Sequence, residues 1–255
     1  MAPGMEAAHP GLPPAVVRQQ TSLGAEEDLD FALQMLAAVQ RGSLGPTLRI
    51  YRPQPTVALG QRDARLPGFG AAVEACRQHG FTPLVRKAGG RAAAYHGGCL
   101  VLDHVEPEPN AMASSRGRFS RFGSLLAGAL RGVGVPAGVG EIPGEYCPGE
   151  YTVYGGHPGG QRIKLAGTAQ RVVSGAWLFS TVLVVEDPAP LRAVLTDCYA
   201  ALGLEWNPAT AGAVSDLAPA AGMEEVAAAV VAAYGSATPS KEGEFGLLRQ
   251  IAARP

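Results

Sequence analysis

Charge is scarce in this sequence. Only 17% of its 255 residues are Asp, Glu, Lys or Arg, 21 basic against 22 acidic, giving a formal net charge of -1. A chain so balanced carries no electrostatic footprint for nucleic acid or for an anionic membrane surface, so neither is expected as a partner. Long apolar runs are missing as well: no stretch approaches ~18 apolar residues free of charge and glycine, which argues against a membrane-spanning helix. The opening MAPGMEAAHPGLPP lacks the basic and apolar regions of a secretion signal and reads as a disordered leader. Cysteine is confined to Cys76, Cys99, Cys147 and Cys198, with no C-x-x-C pair. That spacing argues against a structural metal site, and a chain of this length needs no disulfide staple. The expectation is a cytoplasmic protein with four free thiols, no bound metal, and small molecules and proteins as partners.

What is present is ample core material, 47% hydrophobic residues, and well-spaced element signals. AEEDLDFALQMLAAVQR (25–41) has an acidic start, a basic end and Leu29, Leu33, Leu36 and Val39 at helical spacing. Two β-rich runs, 48–52 and 56–60, flank Pro53 and Pro55 and read as strands joined by a tight turn. Helices are expected at 68–80, 119–133, in PLRAVLTDCYAALG and in GMEEVAAAVVAAYG. Strands are expected through Val85 and from Leu100 to Val105, and a three-stranded antiparallel meander at 150–155, 161–173 and 176–185. The spacing predicts an α/β (α+β) fold with a mixed, largely antiparallel sheet flanked by helices. Residues 1–23 lead in, 24–235 form one domain, and 236–255 are a tail with room for a helical turn or two near Leu247 to Ala252. Cys76, Cys198 and Cys99 are expected to be buried.

The chain is organised around EYCPGEYTVYGGHPGGQRIKLAGTAQR, 145–171. Cys147 precedes Pro148 and Gly149, which favours an extended loop that can present a side chain to a cleft. Lys164 stands on a strand of small and apolar residues, where an unpaired ammonium would be costly if buried. Position alone also allows an incidental loop thiol and a solvent-facing edge lysine. If the two residues meet, a cation near a thiol promotes its ionisation and stabilises an oxyanion at an attacked carbonyl. RKAGGRAAAYH, 86–96, puts the Gly89-Gly90 pair and small residues between Arg86 and Arg91, a pattern that suits a slim ligand with a polar end. His96 can serve as a base or as a hydrogen-bonded structural residue. GGHPGGQR lacks the Lys-Ser/Thr pair of a phosphate loop.

The succession DLDFALQ, LRIYRPQPTVALGQ, RKAGGRAAAYH, GQRIKLAGTAQR and GAWLFSTVLVV resembles the lipoate-protein ligase and octanoyltransferase superfamily, whose fold is shared with biotin-protein ligases. The similarity spans roughly residues 28–218. Its two specific blocks are the run matched by Arg86, Gly89, Gly90, Arg91 and Ala92, and G-x-K-x-x-G-x-A-x-R, matched from Lys164, which stands on the family's lysine, through Gly167, Thr168 and Ala169 to Arg171, with Arg162 at the pattern's first glycine. The resemblance implies an acyl tunnel beside the glycine run, with Ala93, Tyr95 and His96 among its substrate-binding residues, and Lys164 at the acyl carbonyl. Cys147 occupies the loop position of the nucleophile in cysteine-dependent octanoyl and lipoyl transferases.

The implied activity is transfer of an octanoyl or lipoyl group to a lysine of a lipoyl carrier domain through a Cys147 thioester, with no cofactor. The implied donor is an acyl carrier protein or a lipoylated H-type protein of glycine cleavage. The implied acceptor is a lipoyl domain of a 2-oxoacid dehydrogenase or an H-type protein. Alternatives are an ATP-dependent lipoate-protein ligase, which would use ATP and magnesium, and a non-catalytic binding module. Two departures stand out: Gly97-Gly98-Cys99-Leu100 replaces the ligase pattern Asp-x-Gly-Asn, and Ala88 replaces a common Ser/Thr.

Overall fold

The computed structural model describes residues 13–156, 159–235 and 244–253. The chain begins with β1 (Ala15–Gln19), α1 (Ala25–Gln40), β2 (Thr47–Tyr51), β3 (Thr56–Leu59), α2 (Phe69–Gln78), β4 (Thr82–Val85) and β5 (Ala93–Tyr95). It continues through β6 (Cys99–Pro107), α3 (Ser115–Gly132), β7 (Ala137–Val139), β8 (Val153–Gly155), β9 (Ile163–Val173) and β10 (Ala176–Val184). The helices α4 (Ala189–Leu202), α5 (Met223–Ala233) and α6 (Glu244–Ala252) close it. A seven-stranded sheet has the order β1-β2-β6-β10-β9-β8-β7, and β4-β3-β5 form a smaller one. Among the described strand pairs, β1–β2 and β3–β4 are parallel and the rest antiparallel. The expected mixed, largely antiparallel architecture is what the chain adopts.

Side-chain alternation along β6 decides the layering, because successive residues of a strand point to opposite faces. Leu100 and Leu102 enter a core built with Phe122, Leu126 and Leu130 of α3 and Val226 and Val230 of α5. Val101 enters a second core with the small sheet, α2 and α4. Val105 meets Phe31, Met35 and Leu36 of α1. One face of the large sheet is thus sealed by α3 and α5. The other is roofed by α1 and the small sheet, which leave a cavity between them.

Several elements differ from the sequence reading. β2 and β3 lie in different sheets and are not a hairpin; Pro53 and Pro55 cannot donate to a ladder, so the chain leaves the large sheet there. β1 adds a parallel edge strand in the stretch read only as a lead-in. On α1 the buried face is Asp28, Phe31, Ala32, Met35, Leu36, Ala38 and Val39, while Leu29 and Leu33 are half-buried and turn to the cavity. Asp28 is drawn inward by Arg49 of β2, a fully buried guanidinium that also bonds Asp103 of β6 at 3.1 Å and the Gln19 side chain at 2.7 Å. The α3, α4 and α5 helices fall where periodicity put them, and Gly203, at φ 67, ends α4 in the left-handed conformation favoured for a helix stop. His157 and Pro158 of the expected hairpin turn, with 1–12, 236–243 and 254–255, lie outside the described residues.

Candidate active site

Lys164 is not on an edge. Its strand, β9, runs between β10 and β8, and its ammonium is 2% exposed. It pairs with the Glu145 carboxylate at 2.7 Å and donates to the carbonyls of Tyr146 and Cys147, both at 2.9 Å. It also stands 4.6 Å from the centre of the Tyr146 ring. Of the three N–H groups of an ammonium, two donate to these carbonyls, and the carboxylate neutralises the charge. Glu145 is equally satisfied, accepting also from the Ile142 amide at 3.2 Å and the Thr152 hydroxyl at 2.8 Å. The long side chain of Lys164 therefore builds the loop that carries Cys147.

That loop holds Cys147 at φ 42, a left-handed backbone rare for a residue with a Cβ, and not in the extended form expected before proline. Bonds on both sides fix it. Its amide donates to the Tyr199 hydroxyl at 2.8 Å, and its carbonyl accepts from Lys164. The sulfur receives the Arg91 amide at 3.2 Å and the Arg86 guanidinium at 3.4 Å. Sequence reasoning assigned Lys164 as the cation at the sulfur; the cation that contacts it is Arg86, because Lys164 is turned to Glu145 and the two carbonyls. Arg86 is braced by the Arg91 carbonyl at 2.8 Å, while its Nε is buried without a partner. Gly90, at φ 106, is required here: a Cβ would lie 2.8 Å from the sulfur and collide with the Arg86 guanidinium.

Cys147 opens onto a cavity of about 730 Å³. Its floor is the large sheet, with Val101, Asp103, Leu178, Ser180 and Val182, and its walls include Leu29, Leu33, Ala58 and Phe119. Of the residues singled out in the sequence, Arg86, Gly89, Gly90, Ala93, Tyr95, Lys164, Gly167, Thr168 and Ala169 line it with Cys147. Arg91, Ala92 and His96 do not. The Arg91 side chain turns to buried Asp63 at 2.9 Å, Ala92 is packed in the second core with its carbonyl on Tyr199, and His96 bonds the Asp187 carbonyl and the Gly98 amide, each at 2.9 Å. His96 is thus hydrogen-bonded outside the lining of this cavity, as the structural one of its two readings expects.

Cys76, Cys99 and Cys198 are buried, and burial pushes the Cys99 thiol up to about 12. Cys147 alone is partly accessible among the four. Among the described residues no group of three or more His, Cys, Asp or Glu side chains is placed to hold a metal ion, and no helix is long and apolar enough to cross a membrane. Sequence reasoning passed over Glu145 and Tyr199. Glu145 stands two residues before Cys147 and was open to notice as an acid beside the candidate nucleophile. Tyr199 carries no local signal, being 52 residues from its partner.

A family model of the lipoyl protein ligase A/B catalytic domain matches residues 25–235. The chain belongs to that family. An octanoyl-GcvH:protein N-octanoyltransferase of Geobacillus kaustophilus is 33% identical over 66% of this chain and 58% of its own length. A lipoyl-GcvH:protein N-lipoyltransferase of Listeria monocytogenes is 27% identical over 67% of this chain and 63% of its own. The chain thus spans under two thirds of the length of these curated relatives. Among solved structures, a lipoate-protein ligase A bound with ATP superposes with a TM-score of 0.67 at 19% identity, covering 94% of both chains. A bipartite lipoate protein ligase of Thermoplasma acidophilum gives 0.64 at 20% identity, covering 94% of this chain and 92% of that one. These likenesses show the shared lipoate-ligase fold.

Proposed function

We propose that this member of the lipoyl protein ligase A/B family transfers an octanoyl or lipoyl group to a carrier-domain lysine through a thioester on Cys147. The observation that carries the reading is the Cys147 sulfur at the wall of the cavity, with two N–H donors directed at it. The names of the relatives favour an acylated H-type protein as donor over an acyl carrier protein; the acceptor in this reading is a lipoyl domain of a 2-oxoacid dehydrogenase. In the first half-reaction the sulfur attacks the donor's acyl amide, the C–N bond breaks, and the thiol proton leaves on the departing lysine amine. In the second, the acceptor's amine attacks the thioester, the C–S bond breaks, and the amine's proton returns to sulfur. One amide is exchanged for another, so the scheme needs neither ATP nor an external reductant.

The Arg91 amide and the Arg86 guanidinium direct two N–H groups at the sulfur and hold it at the cavity wall. The apolar part of the cavity takes the acyl chain. Seven methylene-sized groups at about 0.8 kcal/mol each contribute roughly 6 kcal/mol of recognition without any polar contact. Lys164 and Glu145 frame the nucleophile's loop. The test is transfer of octanoyl from a modified H-type protein to a lipoyl domain in ATP-free buffer, which should proceed with the native chain and fail with Cys147→Ser. Robust pyrophosphate exchange with lipoate, retained in Cys147→Ser, would favour the ATP-dependent ligase instead.

A further inference from the structure

Tyr199 of α4 sits 3% exposed in the second core, its ring 5.8 Å from that of Trp206. Its hydroxyl accepts from the Cys147 amide at 2.8 Å and donates to the Ala92 carbonyl at 3.0 Å. One oxygen therefore ties the loop that carries the sulfur to the loop that supplies the Arg91 amide, whose nitrogen lies 3.2 Å from that sulfur. The two loops are 56 residues apart in sequence. They join at Tyr199, because Ala92, whose carbonyl it binds, directly follows Arg91. Burial holds the phenol above its ordinary range, so it keeps the proton it donates to Ala92.

We propose that Tyr199 is a positioning residue for acyl transfer: its hydroxyl sets the left-handed Cys147 backbone and the register of the Arg91 amide against the sulfur. The proposal rests on Cys147 being the nucleophile, though its test does not depend on turnover alone. Without the hydroxyl, a partly buried amide and a buried carbonyl lose their partner together, and Cys147 is freed to relax from φ 42 toward an ordinary conformation. The sulfur then leaves its two donors while the apolar cavity stays intact. Loss should therefore fall on kcat and leave KM alone.

The experiment uses the full chain carrying Tyr199→Phe, with Leu202→Ala as a control that loosens the same helix one turn away from the hydroxyl. Iodoacetamide modification of Cys147 is followed by mass spectrometry at pH 7, beside kcat and KM for an octanoylated H-type protein. The expected result for Tyr199→Phe is a fall of about tenfold in both the alkylation rate and kcat, with KM within about twofold of the native value, since one hydrogen bond is worth on the order of 1 kcal/mol. Leu202→Ala should lose stability and keep the native alkylation rate. An alkylation rate in Tyr199→Phe within about twofold of native overturns the proposal, as does an equal fall in Leu202→Ala. Should Tyr199→Phe fail to fold, hydrogen exchange on the native chain decides: a protected Cys147 amide supports the tether, and exchange at the random-coil rate overturns it. If Cys147→Ser retains transfer, the nucleophile reading fails while the alkylation comparison still reports whether Tyr199 positions the thiol.

Discussion

The Lys164 ammonium and the Glu145 carboxylate form an ion pair of 2.7 Å with side chains 2% and 0% exposed. Removing one partner strands a buried charge, so Glu145→Leu should destabilise the fold by about 3–5 kcal/mol, read from the urea midpoint. The double variant Glu145→Leu with Lys164→Met should recover most of that loss, because two apolar groups can replace a buried pair at little cost. The double variant should not support transfer, since the Tyr146 and Cys147 carbonyls lose the donor that shapes their turn. A double variant no more stable than the single one would show that the pair does more than neutralise charge.

Gly90→Ala separates site geometry from folding. The added methyl would crowd the Cys147 sulfur and the Arg86 guanidinium, at a φ of 106 that L-residues rarely adopt. Turnover should fall by about 100-fold or more if sulfur and donors are pushed apart, since small misplacements near the reacting atoms are costly. The far-ultraviolet circular dichroism spectrum should be unchanged. Native turnover in Gly90→Ala would contradict the geometry assigned to the sulfur.

The lipoate-ligase scaffold was legible in the sequence, and the wiring of the site was not. Periodicity placed α3, α4 and α5, and apolar runs placed β6 and β10, because each of these signals lies within one segment. β1 escaped notice because five residues beside a proline-rich leader acquire strand structure only by pairing with β2. The stripe on α1 was displaced for a similar reason: burial of Asp28 depends on Arg49, 21 residues away. Cys147 and Lys164 were found as residue types in motifs, yet what surrounds each is set by distant chain. Glu145 meets Lys164 only when β8 and β9 are in register, and Tyr199 reaches Cys147 only when α4 packs on the second core.

Thiol accessibility gives a quick check. In the native chain iodoacetamide should modify Cys147 alone, since Cys76, Cys99 and Cys198 are buried and the Cys99 thiol is pushed up to about 12. After denaturation all four cysteines should react. Rapid modification of Cys99 in the native state would contradict the packing around β6.

His104 should make the fold acid-labile. It is 3% exposed behind β6, ringed by Phe122, Trp177 and Tyr234, and burial lowers it from 6.5 to about 3. A value below that of the unfolded chain means the stabilisation is present above pH 6.5 and is lost as pH falls toward 3. His104→Phe should flatten the stability profile across that window, measured by urea unfolding. Arg121, which faces the same pocket, and Glu106, 3.8 Å away with its carboxyl raised by burial, are common to both proteins and cancel in the comparison. An unchanged acid limb in His104→Phe would remove this residue from the account.

The central claim is that Cys147 carries the acyl group. Intact-mass spectrometry of the chain after incubation with an octanoylated H-type protein, without ATP and with no acceptor present, tests it most directly. The account predicts one octanoyl adduct per chain, mapped to Cys147 and absent in Cys147→Ser. Absence of any adduct in the native chain, together with transfer that persists in Cys147→Ser, would contradict it.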